Sequence, residues 1–210
     1  MKNFNDFIKE LKRQIAKPLP GIEAQIKMAS SKRSIESELK AKHIRAKKGA
    51  VLILFYPYKN SIYTVFILRQ EYDGVHSGQI SFPGGRFENS DKILINTALR
   101  EAEEEVGIDV SKVNILGSIS RLYIPPSNFL VLPVIGTTNV RPDFSADNKE
   151  VKEILEIEFY NFLDEKNITY KEIRVFNKLK ITAPCYDIKG NIIWGATAMI
   201  ISELCEVLKQ

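Results

Sequence analysis

Two cysteines in 210 residues, Cys185 and Cys205, are too few and too far apart for a disulfide framework or a zinc-type ligand set. That scarcity makes a reducing cytoplasm the default compartment. No apolar run approaches the roughly 18 residues that a membrane span requires. The opening stretch, MKNFNDFIKELKRQ, is amphipathic and lacks the unbroken apolar segment of a secretory signal. Internal repeats and low-complexity tracts are also missing. These absences set aside disulfide scaffolds, membrane-spanning helices and repeat arrays.

What remains is ordinary in bulk: 44% hydrophobic and 27% charged residues, in a length that suits one domain with an appended arm. The net charge of +4 is unevenly spread. Residues 1–48 hold 13 Lys/Arg against 5 Asp/Glu, and the remainder holds 17 against 21. A basic arm can attract a polyanion, but Ile8, Leu11, Ile15, Ile22 and Ile26 interrupt it. It reads as a solvated helix pair rather than a polybasic tail, so neither nucleic acid nor a membrane is expected as a partner.

Phe4, Phe7, Ile8, Leu11 and Ile15 recur at helical spacing and predict a helix over 4–16, broken by Lys17-Pro18-Leu19-Pro20-Gly21. A second, polar region spans 22–47. Strand-like runs follow at Ala50–Tyr56 and Ser61–Leu68, joined by the turn residues 57–60. Further strand candidates are Ile115–Ile124, Phe129–Gly136, Ile154–Phe159, Tyr170–Phe176 and Ile192–Trp194. Helices are expected from about Asp91 to Val106 and from Thr197 to Leu208. A hairpin, then strands around one central helix, then a closing helix, suggests an α+β mixed-sheet sandwich. The expected division is an N-terminal helical extension over 1–47 and a main domain over 48–210.

The most informative segment is Leu99-Arg100-Glu101-Ala102-Glu103-Glu104-Glu105-Val106-Gly107. Glutamates belong near a helix N-terminus, where the macrodipole is positive, yet four crowd the opposite end. Like charges three and four residues apart also repel. At about 100° per residue, Glu101, Glu104 and Glu105 share one arc, beside an apolar face of Ile95, Ala98, Leu99, Ala102 and Val106. Glu103 points away. A hard divalent cation such as Mg²⁺ or Mn²⁺ would relieve that repulsion. The plainer alternative is a solvated acidic helix end, with Arg100 pairing to Glu103 or Glu104. The preceding loop, Ser81-Phe82-Pro83-Gly84-Gly85-Arg86-Phe87-Glu88-Asn89-Ser90-Asp91, shifts the balance. Its paired glycines permit close backbone approach, and Ser90 or Asp91 can cap the helix.

Gly85 through Ile108 resembles the Nudix box, G-x5-E-x7-R-E-U-x-E-E-x-G-U with U apolar. Its second half matches at Arg100–Ile108. Its first half departs, with Asp91 in place of Glu and eight residues before Arg100. That departure, with Phe82-Pro83-Gly84-Gly85 ahead of it, is similar to the coenzyme A pyrophosphatase branch of the family. Gly78, His76, Pro126-Ser127-Asn128-Phe129, Leu132-Pro133-Val134 and Ile193-Trp194-Gly195-Ala196-Thr197-Ala198 extend the resemblance over roughly 48–208. Gly74 stands where that branch usually carries Arg.

The resemblance implies an α/β/α sandwich and a metal-dependent pyrophosphohydrolase. Glu101, Glu104 and Glu105 would hold Mg²⁺ or Mn²⁺, and Arg100 would orient the glutamates or pair with Asp91. The general base would be Glu101, Glu104 or the loop carboxylate Glu150. The implied substrate is a small-molecule diphosphate of the coenzyme A type, cleaved to 4′-phosphopantetheine and 3′,5′-ADP. Its phosphates call for cations: Arg69, Arg86 and, more weakly, Arg121, beside Gly84 and Gly85. ADP-ribose, dinucleotides or nucleoside triphosphates are the alternative substrates, and a non-catalytic nucleotide-binding module is the alternative class. A homodimer is left open. Phe129, Trp194, Cys185 and Cys205 are expected in the core, and His76 is expected to be incidental.

Overall fold

A computed structural model describes residues 3–30, 46–74, 76–174 and 180–210. Helix α1 (Phe4–Ile15) is capped by the Asn3 side chain and presents buried Phe7 and Leu11 on its inner stripe. A short α2 (Ile22–Gln25) and one 3₁₀ turn (Ile26–Met28) follow. Of the region anticipated over 22–47, residues 31–45 lie outside the described residues, and Lys47 already begins β1.

Strands β1 (Lys47–Tyr58) and β2 (Ser61–Arg69) form an antiparallel hairpin. Its turn is only Lys59-Asn60, both with positive φ, as a two-residue hairpin turn requires, so Pro57 and Tyr58 belong to the strand. The sheet continues with β3 (Ile80–Ser81), β4 (Gly84–Arg86), β5 (Asn114–Ser118), β6 (Leu122–Ile124), β7 (Phe129–Thr137) and β8 (Val151–Glu158). Its main path runs β3-β2-β1-β7-β5, with β8 also on β2 and β4 also on β1. The β1–β7 pair is parallel and the other pairs are antiparallel, which makes the sheet mixed. The run anticipated over 115–124 is two strands, separated at residues 119–121, and Phe159 belongs to a 3₁₀ turn.

Alternation along β1 explains the layers. Ala50, Leu52, Leu54 and Tyr56 face helix α3 (Leu94–Val106) and pack with Ala98, Ala102 and Val106. Ile53 and Phe55 face the other way, into a core shared by Phe7 and Leu11 of α1 and by Leu204 and Val207 of α4 (Gly195–Lys209). A strand buried on both faces reads as an unbroken apolar run, which is how AVLILFY looks in the sequence. The result is the α+β sandwich that the element order suggested.

A second, three-stranded antiparallel sheet comprises β9 (Ile168–Arg174), β10 (Lys180–Ile188) and β11 (Asn191–Trp194), in the order β11-β10-β9. Strand β10 went unforeseen because Pro184 demotes the run. The proline is tolerated because the β10–β11 ladder starts only at Cys185↔Trp194, so no partner on that side needs its missing N–H. Cys185 and Cys205 are buried, unbridged thiols.

Candidate active site

The loop from β3 into β4 lies against β1, with Gly84 opposite Val51 and Gly85 opposite Ala50. The two glycines are required for different reasons. A Cβ on Gly84, whose φ is 153°, would lie 2.3 Å from the Ala50 carbonyl oxygen. A Cβ on Gly85 would lie 2.3 Å from Oε2 of Glu101. The loop therefore rests directly on a carboxylate of α3.

Helix α3 begins at Leu94, not at Asp91, and Ile93 occupies its cap position without a side-chain hydrogen bond. The capping role expected of Ser90 or Asp91 is absent because the Asp91 carboxylate is used elsewhere. It accepts from the Glu88 backbone N–H (2.9 Å), the Thr97 hydroxyl (2.8 Å) and Arg100 Nε (2.8 Å). The Arg100 guanidinium and these donors hold Asp91 well below the usual carboxylate range. Arg100 also donates to Glu101 (2.9 Å), Glu104 (2.9 Å) and the Arg86 carbonyl (3.1 Å). One side chain thus ties the turn before the helix, the glycine loop and two acids together. Gly107 ends the helix in the left-handed conformation.

The glutamates differ in environment. Glu105 is buried and accepts from the Gly84 N–H (2.8 Å) and from Arg69 Nη1 (3.2 Å). Burial nevertheless pushes its carboxyl up to about 7, with Glu101 and Glu150 adding to the shift. Glu101 is also raised by burial, with Arg100 opposing and Glu104 and Glu150 reinforcing. Glu104 is 57% exposed and turned to Arg100. Glu150 is equally exposed and stands 3.8 Å from Arg69 Nη2.

Arg69, Gly84, Gly85, Arg86, Glu101 and Glu150 line one cavity of about 390 Å³. Arg100, Glu104 and Glu105 are not on its wall. Arg121 is not brought there either: it sits at the break between β5 and β6, in a separate surface hollow with Lys48 and Lys92. Phe129 and Trp194, expected in the core, are only half-buried. Phe129 lines this cavity, and Trp194 lines an apolar hollow of about 430 Å³ that adjoins it through His76, Gln79, Ile124 and Ala196. Both aromatics flank openings in the packing, which apolar sequence neighbours do not reveal. Sequence reasoning missed Tyr72, Gln79, Ser81 and Ser127, which also line the cavity. Their only signal was position within or beside the motif segments.

Among the described residues, no three His, Cys, Asp or Glu side chains stand together in a metal-ligand arrangement. Arg100 draws Glu101 and Glu104, and Arg69 draws Glu105. The donors still fit a hard divalent cation in kind. They are oxygen ligands, and burial raises the carboxyls of Glu101 and Glu105, the signature of negative charge short of compensation.

The chain resembles known proteins in sequence and in fold. An NudL from Yersinia enterocolitica, described as an uncharacterized Nudix hydrolase, is 37% identical over 132 residues, covering 62% of this chain and 66% of that protein. Its Yersinia pestis counterpart is 36% identical, covering 62% and 65%. The matched part thus spans just under two thirds of these relatives. A NUDIX hydrolase structure from Alicyclobacillus acidocaldarius shares the fold, with a TM-score of 0.50 at 18% identity, over 57% of this chain and 82% of that one. The NUDIX domain pattern itself matches residues 46–174, from the start of β1 to the end of β9, and with the box helix and glycine loop inside that span the chain belongs to the NUDIX family.

Proposed function

We propose that this protein hydrolyses a diphosphate linkage with the help of a divalent cation, and that its substrate is coenzyme A or a derivative of it. The observation that carries the reading is one cavity lined by the Glu101 and Glu150 carboxylates, the Arg69 and Arg86 guanidiniums and the backbone of Gly84-Gly85. Carboxylates and guanidiniums side by side suit a phosphate bound with a cation.

Glu101, Glu104 and Glu105 would hold Mg²⁺ or Mn²⁺, which when bound neutralises phosphate charge and acidifies a water molecule. Glu104 joins by swinging from Arg100, a small movement for an exposed side chain. Arg69 and Arg86 bind the diphosphate from the cavity wall. Arg100 is a positioning residue that fixes Glu101 through its own anchor on Asp91. Glu150, at the cavity rim, takes the proton from the attacking water.

Two observations support the coenzyme A reading. The Phe82-Pro83-Gly84-Gly85 loop is of that branch's type, and the adjoining hollow toward Trp194 and Met199 suits an extended, weakly polar arm. At Gly74, where the branch usually has Arg, a Cβ would lie 2.2 Å from the Tyr72 ring, so the half-exposed tyrosine covers that position. Incubation of the purified chain with Mg²⁺ or Mn²⁺ and a panel of diphosphates tests both levels. Release of 4′-phosphopantetheine and 3′,5′-ADP is the expected result. Consumption of ADP-ribose with coenzyme A intact would move the substrate, and no turnover of any diphosphate would favour a binding module.

A further inference from the structure

Five buried side-chain polar atoms among the described residues have no hydrogen-bond partner: Gln14 Oε1, Thr64 Oγ1, Arg69 Nε, Ser81 Oγ and Ser127 Oγ. Three of the five belong to residues lining the cavity just described. Leaving a buried donor or acceptor unmade is costly, so such atoms are rare and scattered in folded proteins. Their concentration around one cavity points to a ligand.

The chemistry of the three atoms narrows what that ligand presents. Arg69 already directs Nη1 to Glu105 and Nη2 to Glu150, which leaves Nε, a donor that cannot accept. Ser81 sits on β3 opposite Ile67, two residues before Arg69 on the neighbouring strand. Ser127 lies in the turn between β6 and β7, closed by the Asn128 N–H on the Pro125 carbonyl. Serine hydroxyls rotate and donate or accept as required. The Arg69 Nε demands an acceptor and both hydroxyls can donate, so a group offering several acceptors, such as the phosphoryl oxygens of a diphosphate, suits all three.

We propose that Ser81, Ser127 and the Arg69 Nε form a phosphoryl cradle on the cavity wall, which binds the diphosphate in addition to the cation-binding glutamates. This rests on reading the cavity as a diphosphate site. It assigns specificity-determining roles to two hydroxyls outside the box.

The cradle has an unusual signature. In the free protein each serine carries an orphaned hydroxyl, so Ser81→Ala and Ser127→Ala leave the melting temperature unchanged or raise it. Each weakens phosphoryl binding roughly tenfold, as expected for a hydrogen bond to a charged group. Thr64→Val removes an equally orphaned hydroxyl in β2, away from the cavity, and serves as the control. Titration calorimetry of the full chain with inorganic pyrophosphate, with and without Mg²⁺, reads binding without any need for turnover. Weaker binding in both serine variants at undiminished stability, with Thr64→Val binding as the parent does, supports the cradle. Unchanged affinity, a fall in stability, an equal loss in Thr64→Val, or no pyrophosphate binding by the parent chain overturns it. Serine-dependent binding without hydrolysis of any diphosphate would sink the hydrolytic reading alone. Hydrolysis with unaltered KM in the serine variants would sink the cradle alone.

Discussion

Adjacent glycines in one loop should fail in opposite ways when given a methyl group. In Gly84→Ala the new Cβ meets the backbone, 2.3 Å from the Ala50 carbonyl oxygen and 2.5 Å from the Val51 Cα, at a φ of 153°. Neither neighbour can rotate aside, so β4 must part from β1. A strained backbone and an overpacked contact each cost about 1–3 kcal/mol, which together give about 4 kcal/mol. For a chain of this size that lowers the melting temperature by roughly 10 °C. In Gly85→Ala the Cβ meets only the Glu101 carboxylate, the far end of a flexible side chain. The carboxylate moves by about 1 Å and forfeits its 2.9 Å contact with Arg100, for about 1 kcal/mol. The fold survives, but misplacing a catalytic carboxylate by that much costs on the order of 100-fold in turnover. Thermal melts beside diphosphate hydrolysis in Mg²⁺ measure both quantities. A Gly85→Ala protein that melts as early as Gly84→Ala, or that retains full activity, would refute the reasoning.

Three further outcomes follow from the same geometry. Burial holds Glu105 at about 7 in the folded state, above its unfolded value near 4.5, so the folded protein binds a proton that the unfolded chain has released. Stability from this group is full below about 4.5 and is lost as pH rises through 7. Added Mn²⁺ should therefore raise the melting temperature more at pH 8 than at pH 5.5, and Glu105→Gln should abolish that difference in a melt series. Asp91 shifts the other way: the stability from its depressed carboxyl is full above about 3.9 and is lost as pH falls from there through its lower folded value. Asp91→Asn should cost about 2 kcal/mol at pH 7 by chemical denaturation, moderated by the partial exposure of Arg100, and less near pH 3. Glu203 is fully buried in α4, where it accepts from the Gly21 N–H, the Ser120 N–H and Gln25 Nε2. Glu203→Ala strands those donors and should cost about 4 kcal/mol, with Glu203→Gln costing about half; hydrogen exchange should show Gly21 losing protection first.

The parts of the fold that were legible in the sequence are those where one residue pattern serves one local purpose. The unbroken apolar β1, the amphipathic α1 and the acid-rich α3 all show in the chain as they do in space. Strand β10 was hidden because Pro184 is tolerable only given where β11 stops, which is tertiary information. The start of α3 was misjudged because Asp91 has the look of a cap, although its pairing with Arg100, nine residues away, was among the expectations. Arg121 carried the right charge, yet it stands in the short link between β5 and β6 and lines another surface hollow. Ser81 and Ser127 stood inside quoted motifs, yet no role could be read for them, because a serine acquires meaning only from the absence of a partner, and that requires coordinates.

The acids at the end of α3 began as a violation of helix electrostatics, and the structure shows how the fold sustains it. Arg100 and Arg69 each take part of the charge, and the Gly84 N–H takes another part. The compensation is incomplete at Glu101 and Glu105, where burial outweighs every favourable partner. A fold selected for stability alone would place alanine or glutamine there, as α3 does with Ala98 and Ala102 one turn away. Retaining two desolvated carboxyls beside a cavity makes sense only if something bound there restores the balance, which is the logic of pKa shifts gathering at functional sites. The arginines meanwhile hold the glutamates oriented. In the proposed reading Glu104 swings away from Arg100, while Asp91 keeps the guanidinium in place.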